Sequence, residues 1–149
     1  MVTVSDNNKI PQIMWELEQL NHLRVRVGIF GGSGGGNGKI TLVEIANINE
    51  FGTRNGHVPE RSFVRSTYSE KVGDWSNFAK RLTMKVATGS LTAYQAYSQL
   101  GARMTRDIKR KITDLRSPAN APSTIKKKGS SNPLIDTGAM RAAVTWRVD

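Results

Sequence analysis

Apolar residues at Ile13, Met14, Leu17 and Leu20 follow Pro11 at i, i+1, i+4 and i+7 spacing, which predicts a short amphipathic helix with the proline in its first turn. The period then changes. Leu23, Val25, Val27 and Ile29 alternate with Arg24 and Arg26, predicting a strand over residues 23 to 30 with an apolar face inward and a basic face outward. Thr41 is placed to cap a helix carrying Leu42, Ile45, Ala46 and Asn49 on one side, which Gly52 ends. From Arg61 to Ala87 the pattern predicts helix, interrupted near Gly73, with Phe63, Tyr68, Val72, Trp75, Phe78, Ala79, Leu82 and Val86 inward. The longest helical signal runs from Thr92 to Leu115, where Tyr97, Leu100, Met104, Ile108, Ile112 and Leu115 recur at steps of three or four. Alternation over Ala142 to Val148 predicts a closing strand.

Between these elements the chain breaks. The glycine-rich stretch 31–39 is expected to be a flexible loop, since glycine loses most entropy on ordering. Asn55, Gly56 and Pro59 mark a second loop. Residues 117–133, with Pro118, Pro122, Gly129 and Pro133, are expected to form a long extended loop, and residues 1–8 a flexible N-terminus. At 149 residues, with no repeat and no linker, the chain is expected to be one domain, 1–149.

Charge changes the picture more than composition does. The net charge is +10, and it is uneven: residues 1–50 carry 4 Lys/Arg against 5 Asp/Glu, residues 51–100 carry 7 against 3, and residues 101–149 carry 11 against 4. A basic C-terminal part favours an anionic partner, through attraction that salt weakens. Arg103, Arg106, Lys109, Arg110 and Lys111 line the side of the long helix opposite its apolar stripe, and Lys126, Lys127 and Lys128 sit in the long loop. Both groups could contact phosphates without reading bases, or pair with acidic neighbours. No zinc-finger spacing or helix-turn-helix pattern points to specific DNA recognition.

Few catalytic arrangements fit. With 0 Cys and 2 His, His22 and His57, thiolate chemistry is excluded and no His-based metal cluster is expected. The glycine loop fails the P-loop spacing, because a match ending at Gly38-Lys39 would need glycine at Ser33 and a hydroxyl residue at Ile40. It also fails the dinucleotide pattern. Glu44 and Glu50 read as a solvated helix face and a helix end, and a hydrolase or nuclease would need them, with Asp136, to converge. No cofactor and no enzymatic activity are expected. The longest apolar runs fall short of the ~20 residues that span a bilayer, and MVTVSDNNKI lacks the pattern of a signal peptide, so no membrane partner is expected.

Three segments carry a resemblance. Ile45-Ala46-Asn47-Ile48-Asn49-Glu50-Phe51-Gly52-Thr53, Val58-Pro59-Glu60-Arg61-Ser62-Phe63-Val64-Arg65 and Pro133-Leu134-Ile135-Asp136-Thr137-Gly138-Ala139-Met140-Arg141 resemble the neck and tail-completion proteins of tailed bacteriophages. That group shows an early strand ending in V-G-I or V-G-V, an N-E-F-G-T turn, a P-x-R-x-F helix start and a late D-T-G-x-[LM]-R segment. The match spans residues 23 to 149 in order. In physical terms, Gly52 is expected to end a helix in a left-handed conformation with Phe51 placed for packing, Pro59 to start the next helix, and Asp136 to cap the turn before the last strand.

The resemblance implies an α+β fold, an antiparallel sheet of the 23–30 and 142–148 strands packed against helices. It implies a structural virion protein, made in the host cytoplasm and assembled as a hexameric or dodecameric ring at the neck. Its partners would be the head connector or head-closure proteins, the tail terminator or tube proteins, and nonspecifically the packaged DNA. The alternatives are a tail terminator subunit and a nonspecific DNA-binding protein.

Overall fold

Helix-start and helix-stop chemistry sets the outline. The computed structural model describes residues 7–31, 40–129, 132 and 138–149. Among these residues the chain is mostly helical with a two-stranded antiparallel sheet, an α+β arrangement. The first helix, α1 (Ile10–His22), has Pro11 in its first turn, and the Asn8 side chain accepts the Ile10 N–H at 3.1 Å. Leu17 and Leu20 face the core, but Met14 is 62% exposed. Each helical step turns about 100°, so the inward face centred on Ile13, Leu17 and Leu20 leaves the i+1 position outside.

Strand β1 (Val25–Gly28) pairs with β2 (Thr145–Val148), with Val25 opposite Val148 and Gly28 opposite Thr145. Arg24 and Arg26 are exposed while Val25 and Val27 are half-buried, as the alternation predicts. Arg26 is bonded to the Asp149 carboxylate, which closes the open end of this short ladder. The last strand is shorter than expected. Ala139–Ala143 form a helical turn, α6, and buried Val144 links it to β2, so the apparent alternation at Ala142 and Ala143 belongs to a helix end.

Helix α2 (Leu42–Phe51) opens with a reciprocal cap: the Thr41 hydroxyl accepts the Glu44 N–H at 3.2 Å and the Glu44 carboxylate accepts the Thr41 N–H at 2.7 Å. It ends at Gly52, whose φ is 72°; a Cβ there would stand 2.9 Å from both Val58 O and Glu60 N. Only glycine fits both the angle and the space. Helix α3 (Val64–Ala87) begins later than the sequence suggests, because Pro59 lies in the extended approach and not in the helix. It also runs unbroken through Gly73, an exposed position where glycine costs propensity but opposes no packing. Tyr68 and Val72 are exposed, at 57% and 37%, since Trp75, Leu82 and Val86 define the buried stripe.

Helix α4 (Ala93–Asp114) is the centre of the fold. A second reciprocal cap, Thr92 with Gln95, starts it, and it packs against α3, α1, α6 and both strands. Its face joins two apolar clusters, one of Phe63, Ile108, Ile112, Met140 and Val144, the other of Leu82, Val86 and Ala96. Side chains of this size stabilise by about 1.5–3 kcal/mol each when fully buried. Gly101 lets α4 approach the sheet: a Cβ there would meet the Trp146 ring at 2.5 Å. The 117–133 segment is not wholly extended. It contains a short helix, α5 (Pro122–Lys128), opened by Pro122 and closed by left-handed Gly129. The expectations for Gly32 to Lys39, for most of the N-terminus 1–8 and for Pro133 to Thr137 lie outside the described residues.

Candidate functional site

A helix whose first residue has no capping oxygen must find an acceptor elsewhere, and α3 finds one on α2. The Phe63 position at its start offers no side-chain cap. The Glu50 carboxylate supplies it: Oε2 accepts the N–H groups of Phe63 at 2.8 Å and Val64 at 2.9 Å, and Oε1 accepts the Arg65 N–H at 3.0 Å and the Ser62 O–H at 2.8 Å. The Arg65 guanidinium adds a contact at 2.9 Å and also reaches Glu60 at 2.6 Å. Glu50 lies in the last turn of α2, the helix end that its position suggests, but it is only 5% exposed. Burial raises the pKa of this carboxyl, but the N–H donors of Val64 and Arg65, the Ser62 hydroxyl and the Phe63 N–H outweigh it, and the group sits below its ordinary value. A carboxylate at a helix N-terminus also gains from the helix dipole.

The remaining motif residues surround this anchor. Arg61, 5% exposed, donates to the backbone carbonyls of Pro118 at 2.7 Å and Ala119 at 3.2 Å, tying the start of α3 to the segment after α4. Phe63 and Met140 meet in the core, joining the second motif segment to the third. The Thr53 hydroxyl accepts the Val58 N–H at 2.9 Å and closes the loop between them. Phe51 does not pack inward. It is 60% exposed, and its ring lies 4.5 Å beneath the Arg65 guanidinium, because Glu50 takes the buried position next to it. Gly138 begins α6 in a left-handed conformation, while Asp136 and Thr137 lie outside the described residues.

The basic residues divide into three groups. Arg106, Lys109 and Arg110 on α4 meet Arg141 of α6 in one open groove of about 640 Å³, lined also by Ala102, Thr105, Thr113 and Asp114. Arg141 is held in it through Nε, which donates to Lys109 O at 3.3 Å and to the Thr113 hydroxyl at 2.9 Å. Arg103 and Lys111 are elsewhere. Arg103 lies 4.7 Å over the Phe78 ring with its Nε buried and without a partner, and Lys111 pairs with Glu70 of α3 at 2.6 Å. The third group, Lys126, Lys127 and Lys128, forms the last turn of α5, where cations favour the carbonyl end of the helix. The expected single basic face on α4 is therefore split, because a 22-residue helix packed on several sides leaves only part of its circumference open.

Two further polar groups went unread in the sequence. Glu16 on α1 is buried and accepts the Ala93 N–H at 2.8 Å, so it caps α4 from a distance as Glu50 caps α3. Asp107 accepts the Trp75 indole N–H at 2.8 Å across the α3–α4 contact. Neither carries a local signal, because each partner is more than thirty residues away. Among the described residues no group of three or more His, Cys, Asp or Glu side chains could hold a metal ion, and no helix is long and apolar enough to cross a membrane. Searches against protein-family models, curated proteins and solved structures find no match to the chain.

Proposed function

We propose that the chain is a structural virion subunit of a tailed phage, forming a homo-oligomeric ring at the neck that joins the connector of the DNA-filled head to the tail. The observation that carries this reading is the convergence of its motifs. Segments 45–53 and 58–65 meet at Glu50, and the second joins Met140 of the third in the core. The described motif residues serve as caps, turns and packing groups, the uses that an assembly subunit makes of its fixed positions. Exposed Ile10, Met14 and Trp15 on α1, at 54–66%, support further burial in a complex. The ring has six or twelve copies, with head-closure or connector proteins above it and tail terminator or tail tube proteins below. Synthesis is in the host cytoplasm and the final location is the virion.

The test is complementation in vitro. Purified protein is added to a lysate of the encoding phage in which this gene is interrupted. A steep rise in infectious titre is the expected result, because complete heads and complete tails then lack only their junction. An unchanged titre, with heads and tails both intact, contradicts the proposal.

A further inference from the structure

We propose that the groove between α4 and α6, formed by Arg106, Lys109, Arg110 and Arg141, binds the phosphodiester backbone of duplex DNA without reading its sequence. This deepens the neck reading by assigning the DNA-facing surface of the subunit, and it rests on that reading for its biological setting. Four cations face the groove against the single carboxylate of Asp114 in its lining. Lys109 and Arg110 have no carboxylate partner among the described residues, and Arg106 has one contact, 3.6 Å to Asp107, whose other oxygen is engaged by Trp75. Several cations elsewhere are paired: Arg26 with Asp149, Arg65 with Glu50 and Glu60, Lys111 with Glu70. A surplus of cations concentrated in one concavity attracts a polyanion.

Geometry favours phosphate over an acidic peptide. Arg106, Lys109 and Arg110 stand at i, i+3 and i+4, so their side chains leave one helix face as neighbours. Arg141 is fixed through Nε, which leaves its two terminal nitrogens as a pre-oriented fork for an oxyanion. The Thr113 side chain adds to the polar lining, and no aromatic side chain lines the groove. Peptide interfaces concentrate their energy in aromatic and apolar anchors seated in pockets, whereas nonspecific duplex binding needs cations alone. The groove also leaves out the other basic candidates: Arg103, Lys111 and the α5 lysines do not line it.

The experiment is a salt titration of binding by the full chain to two 30-base-pair duplexes of unrelated sequence, read by fluorescence anisotropy, with polyglutamate as the second probe. Variants are R106Q/K109Q/R110Q and, as a charge-matched control, K126Q/K127Q/K128Q. Wild type is expected to bind both duplexes alike. The groove triple is expected to lower affinity at least tenfold and to reduce the slope of log affinity against log salt by about 2–3, at about 0.9 per phosphate contact. The control is expected to change either quantity much less. R141K, which keeps the charge but loses the fork, is expected to weaken binding severalfold. Equal losses in the two triples overturn the groove as the site, and polyglutamate binding that exceeds DNA binding assigns it to an acidic protein instead. Absence of DNA binding in a chain that still restores infectivity to the defective lysate overturns this inference while leaving the neck reading intact.

Discussion

Two charged regions of this molecule use similar residues to opposite ends. At the α2–α3 junction, Glu50 is buried, surrounded by backbone and side-chain donors, and neutralised by Arg65. In the α4–α6 groove, Arg106, Lys109, Arg110 and Arg141 face solvent with little to cancel them. A charge with every bond satisfied inside the fold holds the fold, and a charge left over outside it is available to a partner. The difference lies in how fully the fold itself bonds each group.

Removing the buried charge should do the most damage. Glu50→Ala leaves three backbone N–H groups and the Ser62 hydroxyl without this acceptor, and is expected to cost about 3 kcal/mol, lowering Tm by about 10 °C in calorimetry. A loss under 1 kcal/mol would mean that water replaces the carboxylate freely. Gly52→Ala comes next, at about 2 kcal/mol, because its φ of 72° and the 2.9 Å approach of Val58 O both oppose a Cβ. Trp75→Phe, which frees Asp107 of its indole donor, is expected to cost about 1 kcal/mol in urea unfolding. The groove triple R106Q/K109Q/R110Q should change stability by no more than about 0.5 kcal/mol, and a larger loss would erase the contrast between the two regions.

Acid separates the regions in another way. The folded pKa of Glu50 is depressed below the ordinary 4.5, so its contribution is complete above that value and is lost as pH falls from there through the folded pKa. Glu50→Gln should therefore flatten the fall in stability below pH 4.5, measured by urea unfolding across the acid range. The groove triple should leave that profile unchanged, since none of its side chains bonds to Glu50.

Local signals were legible and distant ones were not. The alternation around Val25–Gly28, the Thr41 cap and the apolar stripe of α4 all appear because each rests on residues within one or two turns of each other. The capping role of Glu50 went unread because its partners start twelve positions later, at Ser62, beyond any helical or strand period. The basic face of α4 divided because Glu70 and Phe78 come from α3 and Arg141 from α6, which no pattern along α4 encodes. Helix α5 was hidden by composition: Pro122 and Gly129 read as loop breakers, yet they are the start and stop of one short helix. The motif segments could be ordered along the chain, but their meeting at Glu50 and Phe63 required the fold.

The most direct test of the proposed neck role is electron microscopy of a lysate from a phage whose copy of this gene is interrupted by a stop codon. A neck subunit predicts complete tails lying separate from heads, with no joined particles. Tails of abnormal length would move the subunit to the end of the tail tube as its terminator. Normal infectious particles would contradict a structural role at the head–tail junction altogether.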